Sequence, residues 1–154
     1  MFEYRHATFA DVEEIFALIN GFAAEGLMLP KTYSTLYELL PEFVVAQDSD
    51  SGKIAGCGAL HCTWNALAEI CSLAVSKDFQ RRGIGGEIVK LLLSDGRKLG
   101  VTKFFTLTYN TPFFGSLGFK IVPKETLPQK IWGSCINCRF FPNCNEIAMT
   151  LEEN

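Results

Sequence analysis

The sequence predicts an α+β fold on a mixed, mostly antiparallel central sheet, and three observations carry that expectation. Short apolar and alternating runs separated by turn residues fill most of the first half of the chain. A glycine-rich turn, Gln80-Arg81-Arg82-Gly83-Ile84-Gly85-Gly86, then switches the pattern to helical. Strand, helix and strand around that turn demand a parallel crossover within the otherwise antiparallel run. With 154 residues, 48% of them hydrophobic, and no low-complexity break, one domain over 1–154 with a cysteine-rich segment at 127–145 is expected.

Phe2-Glu3-Tyr4-Arg5 alternates and suits a short strand. Thr8-Phe9-Ala10-Asp11 reads as a capping box, and the helix behind it sets Val12, Ile15, Phe16 and Ile19 on one stripe. Gly26-Leu27-Met28-Leu29-Pro30-Lys31 interrupts the helical pattern, and Ser34 to Leu40 predicts a second short helix before Pro41. Phe43 to Ala46 and Lys53 to Thr63 read as a hairpin around the Asp48-to-Gly52 turn, with Leu67 to Val75 as the next antiparallel strand. In the Gly83-to-Leu99 helix, Ile84, Ile88, Leu91, Leu92 and Leu99 are expected on one side, and Gly100 supplies the stop. Val101 to Thr108 predicts a strand, Pro112 to Ser116 a short helix, and Phe119 to Val122 and Glu146 to Leu151 two further strands.

A formal charge of -3 with scattered lysines and arginines leaves no broad basic face, which argues against a nucleic-acid partner. No apolar run approaches the ~20 residues that span a bilayer, and Met1 to His6 has no leader pattern. A soluble, cytoplasmic protein without a membrane partner is therefore expected. In that setting the six cysteines are expected as reduced thiols or metal ligands. Exposed edge strands make a homodimer an expectation.

The turn at Gln80 to Gly86 opens a helix, so successive backbone N–H groups can converge on an anion there. Gly83, Gly85 and Gly86 allow a pyrophosphate to lie against the main chain, and Arg81 and Arg82 add charge for a further phosphate. The same glycines would also serve a helix start that needs them for packing alone. The turn is neither the Gly-x-x-x-x-Gly-Lys form of nucleotide hydrolases nor a Rossmann turn after the first strand. With Leu73-Ala74-Val75 before it, Asn110 after the next strand and Phe113-Phe114-Gly115-Ser116-Leu117-Gly118-Phe119 beyond, the stretch from Tyr4 to Phe119 resembles the GNAT acetyltransferase superfamily.

That resemblance implies the GNAT fold, with helices on both faces of the sheet and a parallel strand pair that splays to admit the pantetheine arm of acetyl-CoA. It implies that Leu73, Ala74, Val75, the Gln80-to-Gly86 turn with Ile84, Asn110, Phe113 and Phe114 hold acetyl-CoA, a backbone N–H near Leu73 or Ala74 meeting the acetyl carbonyl. Ala68-Glu69-Ile70-Cys71-Ser72-Leu73-Ala74-Val75, Gly56-Cys57-Gly58-Ala59-Leu60 and Phe105-Thr106-Leu107-Thr108-Tyr109-Asn110 look like the N-acetylglutamate synthase branch. Leu127-Pro128-Gln129-Lys130-Ile131-Trp132 resembles the ending of its short members, which lack the amino-acid-kinase-like half. The implied reaction acetylates the α-amino group of L-glutamate or L-glutamine by direct attack in a ternary complex, a step of arginine biosynthesis.

Glu69, a carboxylate in an apolar strand, is the candidate general base, because an α-ammonium group must lose a proton before it attacks. A surface carboxylate paired with a lysine is the alternative. Lys31, with Leu29 in the apolar loop, is the candidate for the acceptor's carboxylate, against the reading of a solvated surface lysine. Two positions depart from the resemblance. Cys71 stands where many short relatives carry an arginine, and Phe114 where the superfamily often has a tyrosine that protonates the leaving thiolate; Tyr109 is a substitute candidate or a strand-end aromatic.

Cys135, Cys138 and Cys144 have the spacing of metal ligands, and a structural zinc site would need a fourth from Cys57, Cys62, Cys71, His6 or His61. Buried reduced thiols, or a reversible disulfide between Cys135 and Cys138, are the alternatives. His61 reads as a structural histidine near the substrate end. Two rival functions remain open: acetylation of another amine (a protein lysine, an N-terminus or a polyamine), and a non-catalytic acyl-CoA-binding sensor.

Overall fold

The computed structural model describes residues 1–127 and 146–153. In chain order these form β1 (Phe2–His6), α1 (Val12–Ala24), α2 (Tyr33–Leu39), β2 (Phe43–Asp48), β3 (Ile54–Trp64), β4 (Leu67–Val75), α3 (Ile84–Leu99), β5 (Lys103–Thr108), α4 (Thr111–Ser116), β6 (Lys120–Ile121) and β7 (Ile147–Glu152), with single 3-10 turns between some of them. The seven strands make one sheet in the order β1-β2-β3-β4-β5-β7-β6. Every neighbouring pair is antiparallel except β4 and β5, the parallel pair expected around α3. The last strand enters between β5 and β6 rather than adding at the edge, a choice that local pattern does not encode.

Period-two burial divides the core into layers. On β2, Val44 and Ala46 join the cluster under α3, while Phe43 and Val45 join the cluster under α1 and α2. Helices therefore cover both faces, which is why β2 reads as a continuous apolar run rather than an alternating one. The α1 stripe of Val12, Ile15 and Ile19 is buried, and Asp11 accepts from the Thr8 N–H at 2.8 Å. Asp11 also receives both nitrogens of the Arg5 guanidinium fork at 2.7 and 2.9 Å. That fork ties the start of α1 to the edge strand β1.

The buried stripe of α3 differs from the expected one. Ile84, Ile88 and Leu92 are buried as anticipated, but Val89, Leu93 and Gly96 complete the face, Leu91 is only partly buried and Leu99 is exposed. Gly100 adopts φ 91° and ends the helix just after Leu99, whose side chain is left exposed at the helix terminus.

Two irregularities shape β4. Its ladder with β5 holds only three pairs, Leu67 with Lys103, Ala68 with Phe104 and Glu69 with Phe105, whereas β5 stays paired with β7 as far as Thr108. Beyond Glu69 the parallel strands part. The Thr106 hydroxyl spans the opening and donates to the Ile70 carbonyl at 2.9 Å, in place of a backbone donor. On the other edge, the pairs Cys57–Ala74 and Ala59–Cys71 bracket one extra residue on β4, and Ser72 there has φ 54°. This bulge reverses the alternation: Ala68 and Ile70 face α3, and Leu73, not Ser72, continues on that face.

Replacing Thr106 tests the bridge across the opening. Thr106→Val strands a buried carbonyl and is expected to cost about 1–3 kcal/mol in urea unfolding, whereas Thr106→Ser, which keeps the hydroxyl, should stay close to the parent.

Candidate active site

Where β4 leaves β5, the space between the strands widens into a cleft of about 660 Å³. Glu69 is the last β4 residue paired with β5, so the strand geometry sets its side chain at the mouth of the opening. It is half-buried, and burial pushes its carboxyl up to about 7. His61 and Lys31 oppose that rise, while Glu146, just ahead of β7, adds to it. His61 pairs with Glu69 in the β3–β4 register, and its Nδ1 lies 2.9 and 3.0 Å from the two Glu42 oxygens.

The loop between α1 and α2 closes the cleft with Leu29 and Lys31. One side chain fixes this loop: the Asn20 amide donates to the Lys31 carbonyl at 2.9 Å and accepts the Lys31 N–H at 3.0 Å. Cys71 also lines the cleft, next to Glu69 on the same face of β4. Burial and the Glu69 charge drive its thiol far above the ordinary range, so it presents a neutral S–H.

The structure separates the β4 residues assigned to acetyl-CoA. Leu73 lines the cleft; Ala74 and Val75 are not among its walls. The Ala74 N–H is directed at the Cys57 sulfur on β3, so that group is already engaged within the sheet. Asn110, Phe113 and Phe114 form the far wall. Asn110 also caps α4, its side-chain oxygen accepting the Phe113 N–H at 3.3 Å, and Phe114 is wedged edge-on between Phe113 and Phe119.

The turn after β4 holds the second group of predicted residues. Gln80 donates to the Val75 carbonyl at 3.1 Å, stapling the turn to the strand end. Arg81 has φ 67° and Gly83 φ 76°, so two left-handed residues bend the chain into α3. Arg82 stands over the Phe79 ring, 5.6 Å from its centroid. A Cβ placed at Gly83 or Gly86 would meet no protein atom within 4 Å, so neither glycine answers a packing need inside the chain. Positive φ accounts for Gly83; Gly86 lies inside α3, where neither φ nor contacts require glycine. Bare main chain at the N-terminus of a 16-residue helix fits an anion approaching from outside.

Glu42, Glu146, Thr106 and Ser72 belong to the cleft and were not singled out by sequence reasoning. Glu42 follows Pro41 and looks like an ordinary turn acid, and Glu146 reaches the cleft only through the inserted last strand. Among the described residues no three His, Cys, Asp or Glu side chains group as a metal site, and no helix is long and apolar enough to cross a membrane. Cys135, Cys138 and Cys144 lie outside those residues.

The sequence profile of the acetyltransferase (GNAT) family matches residues 10–119, and the chain belongs to that family. It is an N-acetyltransferase whose acetyl donor is acetyl-CoA. An uncharacterized N-acetyltransferase of Chlorobaculum tepidum is 39% identical over 145 residues, 94% of this chain and 92% of the relative. The amino-acid acetyltransferase of Mycobacterium tuberculosis is 42% identical over 116 residues, 75% of this chain and 66% of its own length. The crystal structure of Rv2747 from that organism, in complex with CoA and NLQ, has a TM-score of 0.85 at 33% identity and covers 99% of both chains. N-acetylglutamate synthase from Neisseria gonorrhoeae, complexed with coenzyme A and N-acetyl-glutamate, has a TM-score of 0.89 at 25% identity; the match covers 100% of this chain and 35% of the synthase.

A Gly86→Ala variant tests whether the bare main chain there serves a ligand rather than folding. Gly86→Ala is expected to stabilise the unliganded protein by about 0.5–1 kcal/mol, the helix-propensity difference. The same change should raise the KM for acetyl-CoA about tenfold, as the methyl enters the anion's space. Thermal melts and initial rates on one preparation read both effects.

Proposed function

We propose that this chain transfers the acetyl group of acetyl-CoA to the α-amino group of a free amino acid, L-glutamate first and L-glutamine second. The observation that carries the reading is Glu69: a half-buried carboxyl pushed up to about 7, in a cleft that Lys31 also lines. A base with that affinity for protons takes one from an α-ammonium group near neutral pH far better than an exposed carboxylate would. The amino-acid acetyltransferase and N-acetylglutamate synthase relatives support an amino acid as acceptor. An acetylated glutamate would place the enzyme in arginine biosynthesis.

In the proposed reaction the pyrophosphate of acetyl-CoA rests on Gly83, Gly85 and Gly86 with Arg81 and Arg82 beside it, and the pantetheine arm runs between β4 and β5. Lys31 holds a carboxylate of the acceptor, and Glu69 takes one proton from its ammonium, directly or through a water. The freed amine attacks the thioester carbonyl, whose oxygen gathers negative charge against the Leu73 N–H. A C–N bond forms, the C–S bond breaks, and the CoA thiolate leaves and takes a proton. Cys71, held as a neutral thiol, forms no covalent intermediate.

Free amino acids presented with acetyl-CoA, with thiol release as the readout, test the acceptor. Release with L-glutamate or L-glutamine is expected; release only with polyamines or peptide lysines discards the amino-acid reading. Glu69→Gln should lower turnover about 10²–10⁴-fold, and wild-type turnover across pH 6 to 9 in that variant removes Glu69 from the mechanism.

The same variant should change stability with a definite sign. A carboxyl whose folded pKa lies near 7 against about 4.5 unfolded disfavours the folded state as pH rises between those values, and the penalty persists above them. Glu69→Gln should therefore raise Tm at pH 8 by a few degrees and leave it unchanged below pH 4.5, as differential scanning fluorimetry will read.

A further inference from the structure

We propose that His61, held by Glu42, is a positioning residue for Glu69: its imidazolium faces that carboxylate across the β3–β4 ladder and keeps it in the proton-accepting form. The inference rests on the reading of Glu69 as the base. His61 and Glu69 are directly opposed in the antiparallel register, and such side chains emerge on the same face within reach of each other. Both line the cleft. Glu42, from the turn ahead of β2, offers both oxygens to Nδ1 at 2.9 and 3.0 Å, which fixes the ring and favours its protonated form.

The charges around the pair come from every element packed against it. Lys31, from the α1–α2 loop, favours the Glu69 carboxylate and opposes the His61 charge. Glu146, ahead of β7, disfavours the Glu69 carboxylate, and Cys71 beside it on β4 stays a neutral thiol. Burial is the largest influence on Glu69, and among the charges His61 acts on it most strongly. Without that cation, burial and Glu146 would carry Glu69 further toward its neutral form, and the base would be lost at neutral pH. Since His61 and Glu69 interact, the observed titration belongs to the pair.

The pH profile of kcat/KM with acetyl-CoA and L-glutamate separates this role from a merely structural one. In His61→Gln the acidic limb should move up by about half to one pH unit. The rate at pH 6.5 should then fall about three- to tenfold, while the plateau above pH 9 stays within about twofold. His61→Lys, which restores a cation, should bring the limb back toward the parent position. Glu42→Gln gives an independent sign: removing a nearby negative charge would by itself lower the limb, so an upward shift arises only if His61 has lost its proton.

A limb that stays in place in both His61→Gln and Glu42→Gln, or a rate loss uniform across pH, overturns the inference. So does a limb displaced in His61→Gln that His61→Lys leaves where it is. If His61→Gln does not fold, Glu42→Gln decides alone. Full turnover in Glu69→Gln defeats the base assignment itself, whatever the His61 variants do.

Discussion

The parting of β4 and β5 after the Glu69–Phe105 pair is the constraint on which the rest of the site depends. A parallel pair that stayed zipped would continue its ladder past Ile70 and Thr106 and leave no cleft. The strands can separate because each has another partner: β3 continues along β4 to Val75, and β7 continues along β5 to Thr108. The exposed backbone is partly satisfied within the chain, by the Thr106 hydroxyl on Ile70. The Ser72 bulge completes the arrangement by switching which face of β4 each later residue meets. A left-handed backbone at a non-glycine residue is costly, and its place in the cleft wall is where such strain commonly has a functional use.

Opening the sheet also creates the electrostatics of the site. Glu69 is pulled partly out of water while remaining at the cleft mouth, so its proton affinity rises without the carboxylate being inaccessible. The surrounding charges come from four separate stretches: Lys31 before α2, Glu42 before β2, His61 on β3 and Glu146 before β7. Each is ordinary by itself. Burial sets the proton affinity of Glu69 first, and His61, Glu146 and Lys31 adjust it.

The turn at Gln80 to Gly86 illustrates how a glycine motif acquires meaning. Gly83 is explained by its positive φ, and a Cβ at Gly85 would press on the Phe113 ring at 3.3 Å. Gly86 has neither reason, and only space outside the chain explains it. Gln80, grouped by sequence with the same turn, staples it to Val75.

By itself the sequence determined the layered α+β architecture, the crossover at α3 and the turn that opens it, because alternation, helical periodicity and glycine punctuation act over a few residues. Glu69 stood out for the same reason: a carboxylate in an apolar strand is a local anomaly. Leu99 is exposed although it continues the helical stripe, because periodicity carries no information on where the covered part of a helix ends. Only the tertiary structure decided that β7 enters between β5 and β6, that Ser72 adopts φ 54°, and that Glu42 and His61 meet. Insertion order depends on which strand edge is left unpaired after the sheet assembles, and the charge on Glu69 depends on neighbours dozens of residues away. Neither quantity is a property of any local stretch of chain.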